Sequence, residues 1–129
     1  MHQKSYRTEY ARVHGLGVAH DGVGHWWQQR VSAVGLVFLT PFFLFPFARA
    51  LGSDHETMVA TYQNGWNALV AILFVITAFW HLKLGLQVVI EDYIHDKAVR
   101  TVCLVVNTLL TIAFGAAGVF AIASIAFSA

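Results

Sequence analysis

Charge is what this chain mostly lacks. Only 12% of its 129 residues are Asp, Glu, Lys or Arg, against roughly a quarter in a soluble domain. The formal net charge is +1 with the histidines neutral, so the global basic signature of a nucleic-acid binder is missing. Cysteine occurs once, as Cys103 in an apolar run. That excludes an internal disulfide framework and any multi-cysteine cluster on this chain alone, and leaves Cys103 as a small buried hydrophobe. No internal repeat or low-complexity segment is present. The first residues, MHQKSYRTEYARVHGLGVAHDG, contain no apolar core and do not read as a cleaved signal peptide. Glycines 15, 17, 22 and 24 suggest a nucleotide-binding loop only superficially. No strand precedes them, no GKS or GKT follows, and the spacing departs from GxGxxG.

What the chain has instead is apolar length, with 57% hydrophobic residues. The size allows one domain, expected to be all-α and integral to the membrane with three spans. Val31–Ala48 is an 18-residue run without a charge, enough to cross a hydrocarbon core about 30 Å thick. Pro41 and Pro46 are expected to kink it, with Thr40 or a neighbouring helix taking up the freed carbonyls. A short polar link follows, LGSDHETMVATYQNG. The second apolar run starts near Trp66 and continues past the single Lys83 to Ile90, and the third covers the 29 uncharged positions from Thr101 to Ala129. The expected layout is an N-terminal segment over residues 1–30 and a transmembrane domain over 31–129, with spans at about 31–50, 64–90 and 101–127. Residues 1–30 read as a flexible surface segment leading to Trp26 and Trp27, an aromatic pair suited to the membrane–water interface. Ala113, Ala117 and Ala121, with Gly115 and Gly118, offer small surfaces for close helix packing, within the chain or between subunits.

Lys and Arg number four before the first span (Lys4, Arg7, Arg12, Arg30), one in the link (Arg49), two in the next loop (Lys97, Arg100) and none at the C-terminal end. The positive-inside rule then places the N-terminus and the 91–100 loop in the cytoplasm and the C-terminus on the opposite, periplasmic side.

The chemistry concentrates in HLKLGLQVVIEDY, residues 81–93. At about 100° per residue, His81, Gly85, Val88 and Asp92 share one helical stripe. At about 1.5 Å rise per residue, His81 lies about 16 Å from Asp92. With Asp92 at the surface, His81 sits near the bilayer midplane, where an ionisable group is a functional-site candidate. Two readings stand side by side. In one, His81 is hydrogen-bonded to a serine, threonine or carbonyl of another helix. In the other, Gly85 leaves room for a flat macrocycle, Val88 supplies an apolar wall, and the neutral imidazole is an axial haem ligand. No second histidine lies in an apolar run, so a bis-histidine haem requires a ligand from another subunit. Lys83 points about 200° away from His81; it either snorkels toward the surface beyond Ile90 or meets an acidic group on a partner. Asp92 and Tyr93 either merely end a helix at the interface or form a polar pocket in which Tyr93 donates to a quinone carbonyl. Quinone reduction takes up two protons with two electrons, which suits a titratable group at the aqueous rim. Tyr93 falls about 120° off the His81 stripe on an ideal helix, so it reaches such a pocket only if the helix loosens or the pocket wraps around its end.

The pattern His81-x3-Gly85-x5-Glu91-Asp92-Tyr93 resembles the second-helix signature of the small hydrophobic membrane-anchor subunit of succinate dehydrogenase (respiratory complex II). That signature is a histidine, a nearby glycine, and an Asp-Tyr pair 11 and 12 positions later. GHWWQQRVSAV is similar to the family's entry into the first helix. The resemblance covers residue 20 to the end and does not extend to the first 20 residues. It implies a helical bundle shared with a companion cytochrome b membrane subunit, and attachment of the flavoprotein and iron–sulfur subunits to the bacterial inner membrane. It implies His81 as one axial ligand of the haem b iron, Tyr93 at the ubiquinone head group with Asp92 beside it, and Arg30 at a haem propionate or in the quinone pocket, with Ser32 a weaker companion. Trp26 and Trp27 anchor at the interface or approach the pocket, and Lys83 has no family role. The dehydrogenation itself belongs elsewhere, since this chain offers no flavin fold and no cysteine set for clusters. The alternatives are the anchor of a fumarate reductase and a haem-free structural or transporter-accessory subunit.

Overall fold

The computed structural model describes residues 19–128, and these are helical almost throughout. Lys4, Arg7 and Arg12, on which the orientation argument partly rests, lie outside the described residues. The elements are α1 (Ala19–Ala50), α2 (His55–Gln63), α3 (Gly65–Tyr93) and α4 (Lys97–Ala126). Three of them, α1, α3 and α4, are long and apolar enough to cross a membrane. The chain is therefore an all-helical integral membrane protein. Their extents modify the expected boundaries: α3 runs on through Glu91, Asp92 and Tyr93, and α4 starts at Lys97.

Residues 19–30, expected as a flexible segment, instead continue the first helix and make it 32 residues long. A helix closes its own backbone hydrogen bonds, so extending it through an interface satisfies groups that a loose segment would leave to water. Pro41 and Pro46 both lie inside this helix, and each frees the carbonyl four residues earlier, those of Val37 and Phe42. Thr40 does not take either of them: its hydroxyl donates to the Leu36 carbonyl at 2.6 Å.

The link is also more ordered than its polarity suggested. After α1, the Leu51 and Ser53 amides donate back to the Phe47 and Ala50 carbonyls, and Gly52 turns the chain at φ 84°, a left-handed conformation that glycine adopts without a Cβ clash. Asp54 then caps α2, its carboxylate accepting from the Thr57 amide at 2.9 Å. Hydrogen bonding from the Thr57 side chain and backbone holds the Asp54 carboxyl below its ordinary value of 3.8. A depressed carboxyl pKa contributes stability above the unfolded value, lost as pH falls through the folded one. The first turn of α2 should therefore fray below about pH 3.8, and Asp54→Asn should remove that pH dependence; amide exchange at Thr57 reads both. Asn64 closes α2 and opens α3, accepting from the Trp66 and Asn67 amides, and Asp96 opens α4 in the same way through the Val99 amide. Such residues favour helix starts because a short side-chain acceptor satisfies amides that have no partner within the helix.

α3 is the centre of the arrangement. It packs against α1 on one side and α4 on the other, while α1 and α4 make no contact among the described residues. Toward α1 the contact is aromatic and close: Phe43 stacks on Phe74 with ring centroids 4.3 Å apart, and a Cβ built on Gly35 would lie 3.5 Å from a Thr77 methyl. Toward α4 the glycines carry the approach. A Cβ on Gly115 would lie 3.3 Å from Phe79, and one on Gly118 would lie 3.1 Å from Val75. The two glycines thus serve packing within the chain, whereas Ala113, Ala117 and Ala121 face outward. Gly115→Leu should wedge α3 from α4 and cost about 1–3 kcal/mol, seen as a lower unfolding temperature in detergent; an unchanged temperature would mean the helices do not meet there.

Lys83 does not snorkel toward the Ile90 end. Its ammonium lies over the Trp80 ring at 5.2 Å, one turn back along α3. Helical side chains lean toward the N-terminus, and the indole face attracts a cation in an apolar setting.

Candidate functional site

His81 opens onto a groove between α1 and α3, about 720 Å³ in volume. α1 contributes His25, Trp26, Gln29, Arg30 and Ala33, and α3 contributes His81, Leu84, Gly85, Val88 and Glu91. A larger groove of about 880 Å³ lies among the proline end of α1, α2 and the start of α3, but Arg49 is the only ionisable residue lining it. The smaller groove holds the concentration of polar and titratable groups.

Both nitrogens of the His81 ring meet polar groups of α1. Nδ1 is 2.9 Å from the Ser32 hydroxyl, and Nε2 is 3.2 Å from the Gln29 amide nitrogen. Ser32 is buried, at 7% exposure, and its hydroxyl donates to the Gln29 backbone carbonyl at 3.0 Å. The Gln29 side-chain oxygen is buried with no hydrogen-bond partner. An orphaned buried oxygen costs roughly 1–3 kcal/mol, so Gln29 is the least satisfied group in the groove. Gly85 sits beside it: a Cβ there would lie 3.5 Å from the Gln29 amide nitrogen.

At the Tyr93 end of the groove a second polar chain appears. The Gln87 amide nitrogen donates to the Glu91 carboxylate at 2.9 Å and lies 3.4 Å from His25 Nε2. The Arg30 guanidinium is 5.4 Å from the Trp26 ring centre, and Trp26 stacks on Trp27 at 5.6 Å. Of the tryptophan pair only Trp26 lines the groove.

The structure thus brings His81, Arg30, Ser32 and Gly85 together. It does not bring Asp92 or Tyr93 to them. Both are exposed on the last turn of α3, Tyr93 at 78%, and the acidic residue lining the groove is Glu91. α3 stays helical through Tyr93, so it does not loosen to turn the phenol inward. Sequence reasoning gave no role to His25, Gln29, Gln87 or Glu91, which the structure places at the groove. The available signal was a polar stripe: His25, Gln29 and Ser32 recur at helical spacing on α1, as do Gln87 and Glu91 on α3.

No group of three or more His, Cys, Asp and Glu side chains among the described residues is arranged to hold a free metal ion. A haem iron asks less of this chain, a single nitrogen lone pair with space beside it. The groove fits that need: a histidine ring edge, a bare glycine Cα one turn on, an apolar Val88 wall and an arginine. The Gln29 amide nitrogen faces Nε2 at 3.2 Å.

The chain also has relatives. The family model described as succinate dehydrogenase/fumarate reductase transmembrane subunit matches residues 4–123, so the likeness extends further toward the N-terminus than the residue-20 start of the motif resemblance. The succinate dehydrogenase hydrophobic membrane anchor subunit of Paracoccus denitrificans is 36% identical over 124 residues, 96% of this chain and 95% of that protein. The protein of the same name from Rickettsia bellii is 31% identical, covering 83% of this chain and 86% of the relative. The succinate dehydrogenase membrane anchor subunit of Reclinomonas americana is 29% identical, covering 71% and 79%. No solved structure matches the chain. With the match running almost end to end over three apolar helices, the chain belongs to the succinate dehydrogenase/fumarate reductase transmembrane-subunit family.

Proposed function

We propose that this chain is the membrane anchor of a succinate:ubiquinone oxidoreductase, holding the flavoprotein and iron–sulfur subunits at the cytoplasmic face of a bacterial inner membrane. Its N-terminus and the 91–100 loop face those subunits, and its C-terminus is periplasmic. His81 would hold the iron of a haem b, with the companion cytochrome b subunit supplying the other protein ligand. Asp92 and Tyr93 form part of the ubiquinone-reduction site at the cytoplasmic rim, and Arg30 meets a haem propionate or lines the quinone pocket.

The observation that carries the proposal is the His81 ring edge, turned into a groove beside Gly85 that Arg30 of α1 also lines. When bound there, haem b supplies one-electron storage close to the quinone site. The chain's own residues bind, orient and protonate. Gly85 and Val88 keep the space apolar, Tyr93 donates a hydrogen bond to the quinone carbonyl, and Asp92 holds that hydroxyl or passes protons to it from the rim. The exposed positions of Asp92 and Tyr93 suit a pocket completed by other subunits rather than by this chain.

A haem-free structural role has one observation in its favour: both His81 nitrogens already have partners within the chain. Purification through a tag on this chain decides between the two. A complex containing a flavoprotein, a cysteine-rich iron–sulfur protein and a second histidine-bearing membrane chain, with a b-type reduced-minus-oxidised band, is the expected result. The same complex without that band would leave only the anchoring role. The ratio of succinate-to-ubiquinone turnover to quinol-to-fumarate turnover in membranes separates this reading from a fumarate reductase.

A further inference from the structure

We infer that Ser32 is a positioning residue that sets the tautomer of His81 and so decides which ring nitrogen is free to bind. This rests on the haem-ligand reading of His81 above. Ser32 has one hydroxyl proton, and the Gln29 carbonyl three residues earlier takes it at 3.0 Å. Toward His81 the hydroxyl oxygen is therefore an acceptor, so the proton at the 2.9 Å contact belongs to Nδ1. A neutral imidazole carries one proton, which leaves Nε2 bare. The second contact agrees: the group facing Nε2 is the Gln29 amide nitrogen, a donor, at 3.2 Å. Two contacts to opposite edges of the ring are thus consistent with the same tautomer, and both partners lie on α1.

The packing explains why a serine 49 positions away reaches this ring. Gly35 approaches Thr77 on α3, about one turn along each helix from Ser32 and His81. That close approach brings the two backbones within reach of a side chain as short as serine. Donation from Nδ1–H to an oxygen raises the basicity of Nε2, and a more basic ligand favours the oxidised over the reduced iron. Gln29 holds the Nε2 lone pair in the meantime, and its amide is the group that must swing aside.

The test uses the assembled complex and reads haem content per flavin together with the haem midpoint potential. Ser32→Ala should change the oxidised-to-reduced binding ratio by about tenfold, which is a rise of about 59 mV for one electron. Ser32→Thr keeps the hydroxyl and should restore the wild-type potential. Loss of haem in the alanine variant with retention in the threonine variant equally supports the role. An unchanged potential in Ser32→Ala overturns it, as does an equal shift, or equal haem loss, in both variants, which would mean packing rather than the hydroxyl matters. His81→Gln keeps the two failures apart. If that variant retains its full haem, the ligand reading itself is wrong; if it loses haem while Ser32→Ala behaves as wild type, only the role of Ser32 falls.

Discussion

Replacing His81 by glutamine should strip the b-type band from an otherwise assembled complex. Changing a partner that merely orients a metal ligand typically costs about 10–100-fold in affinity or activity; removing the ligand should exceed that, so haem per flavin should fall far below wild type. Glutamine is the informative substitution because it retains hydrogen-bonding capacity toward Ser32 and Gln29, which now face the ring. Leucine would remove both side-chain contacts from α1 to this ring position, and haem loss would then be confounded with helix separation. Succinate oxidation with an artificial acceptor should persist, since it does not pass through this groove. A full b-type band in the glutamine variant would return His81 to a plain helix–helix hydrogen bond.

Tyr93→Phe should slow quinone reduction by about 10- to 100-fold, the equivalent of one hydrogen bond to a group otherwise left unpaired. Artificial-acceptor activity and haem content should be untouched. Tyr93 is 78% exposed and lies outside the His81 groove, so removing its hydroxyl disturbs nothing within the chain. That makes the variant a clean probe of the rim. Parallel loss of both activities would indicate failed assembly, and unchanged quinone reduction would remove Tyr93 from the site. Glu91 offers a contrast. It lies in the groove and accepts from Gln87, whereas its neighbours Asp92 and Tyr93 do not line it.

How far this was legible from residues depends on the range of the interaction involved. The three spans and the depth of His81 follow from hydropathy and a fixed rise per residue, both local properties, and the helices occur as expected. The helical course of residues 19–30 was masked by Gly22 and Gly24, which lower helix propensity without specifying a loop. α2 hid in a polar link because its start depends on one capping carboxylate, Asp54, rather than on periodicity. Of the two routes open to Lys83, hydropathy favours the nearer surface, while helix geometry points the side chain back toward Trp80.

The groove is a different matter. A periodic pattern identifies which α3 residues share a stripe, but not how α1 is rotated about its own axis against it. That rotation is set by Phe43 on Phe74 and Gly35 against Thr77, contacts between residues 31 and 42 positions apart. It places Ser32 and Gln29, rather than Thr40 or a backbone carbonyl, against His81. It likewise turns Gly115 and Gly118 inward onto α3 and leaves the neighbouring alanines outside. Composition and spacing were sufficient to mark a histidine within an apolar span, one turn from a glycine, because a span is defined by the chain's own apolar length. Its two hydrogen-bond partners emerged only with the packing of α1 on α3, because hydrogen bonds are directional and form over about 3 Å, a distance no pattern along one chain can resolve.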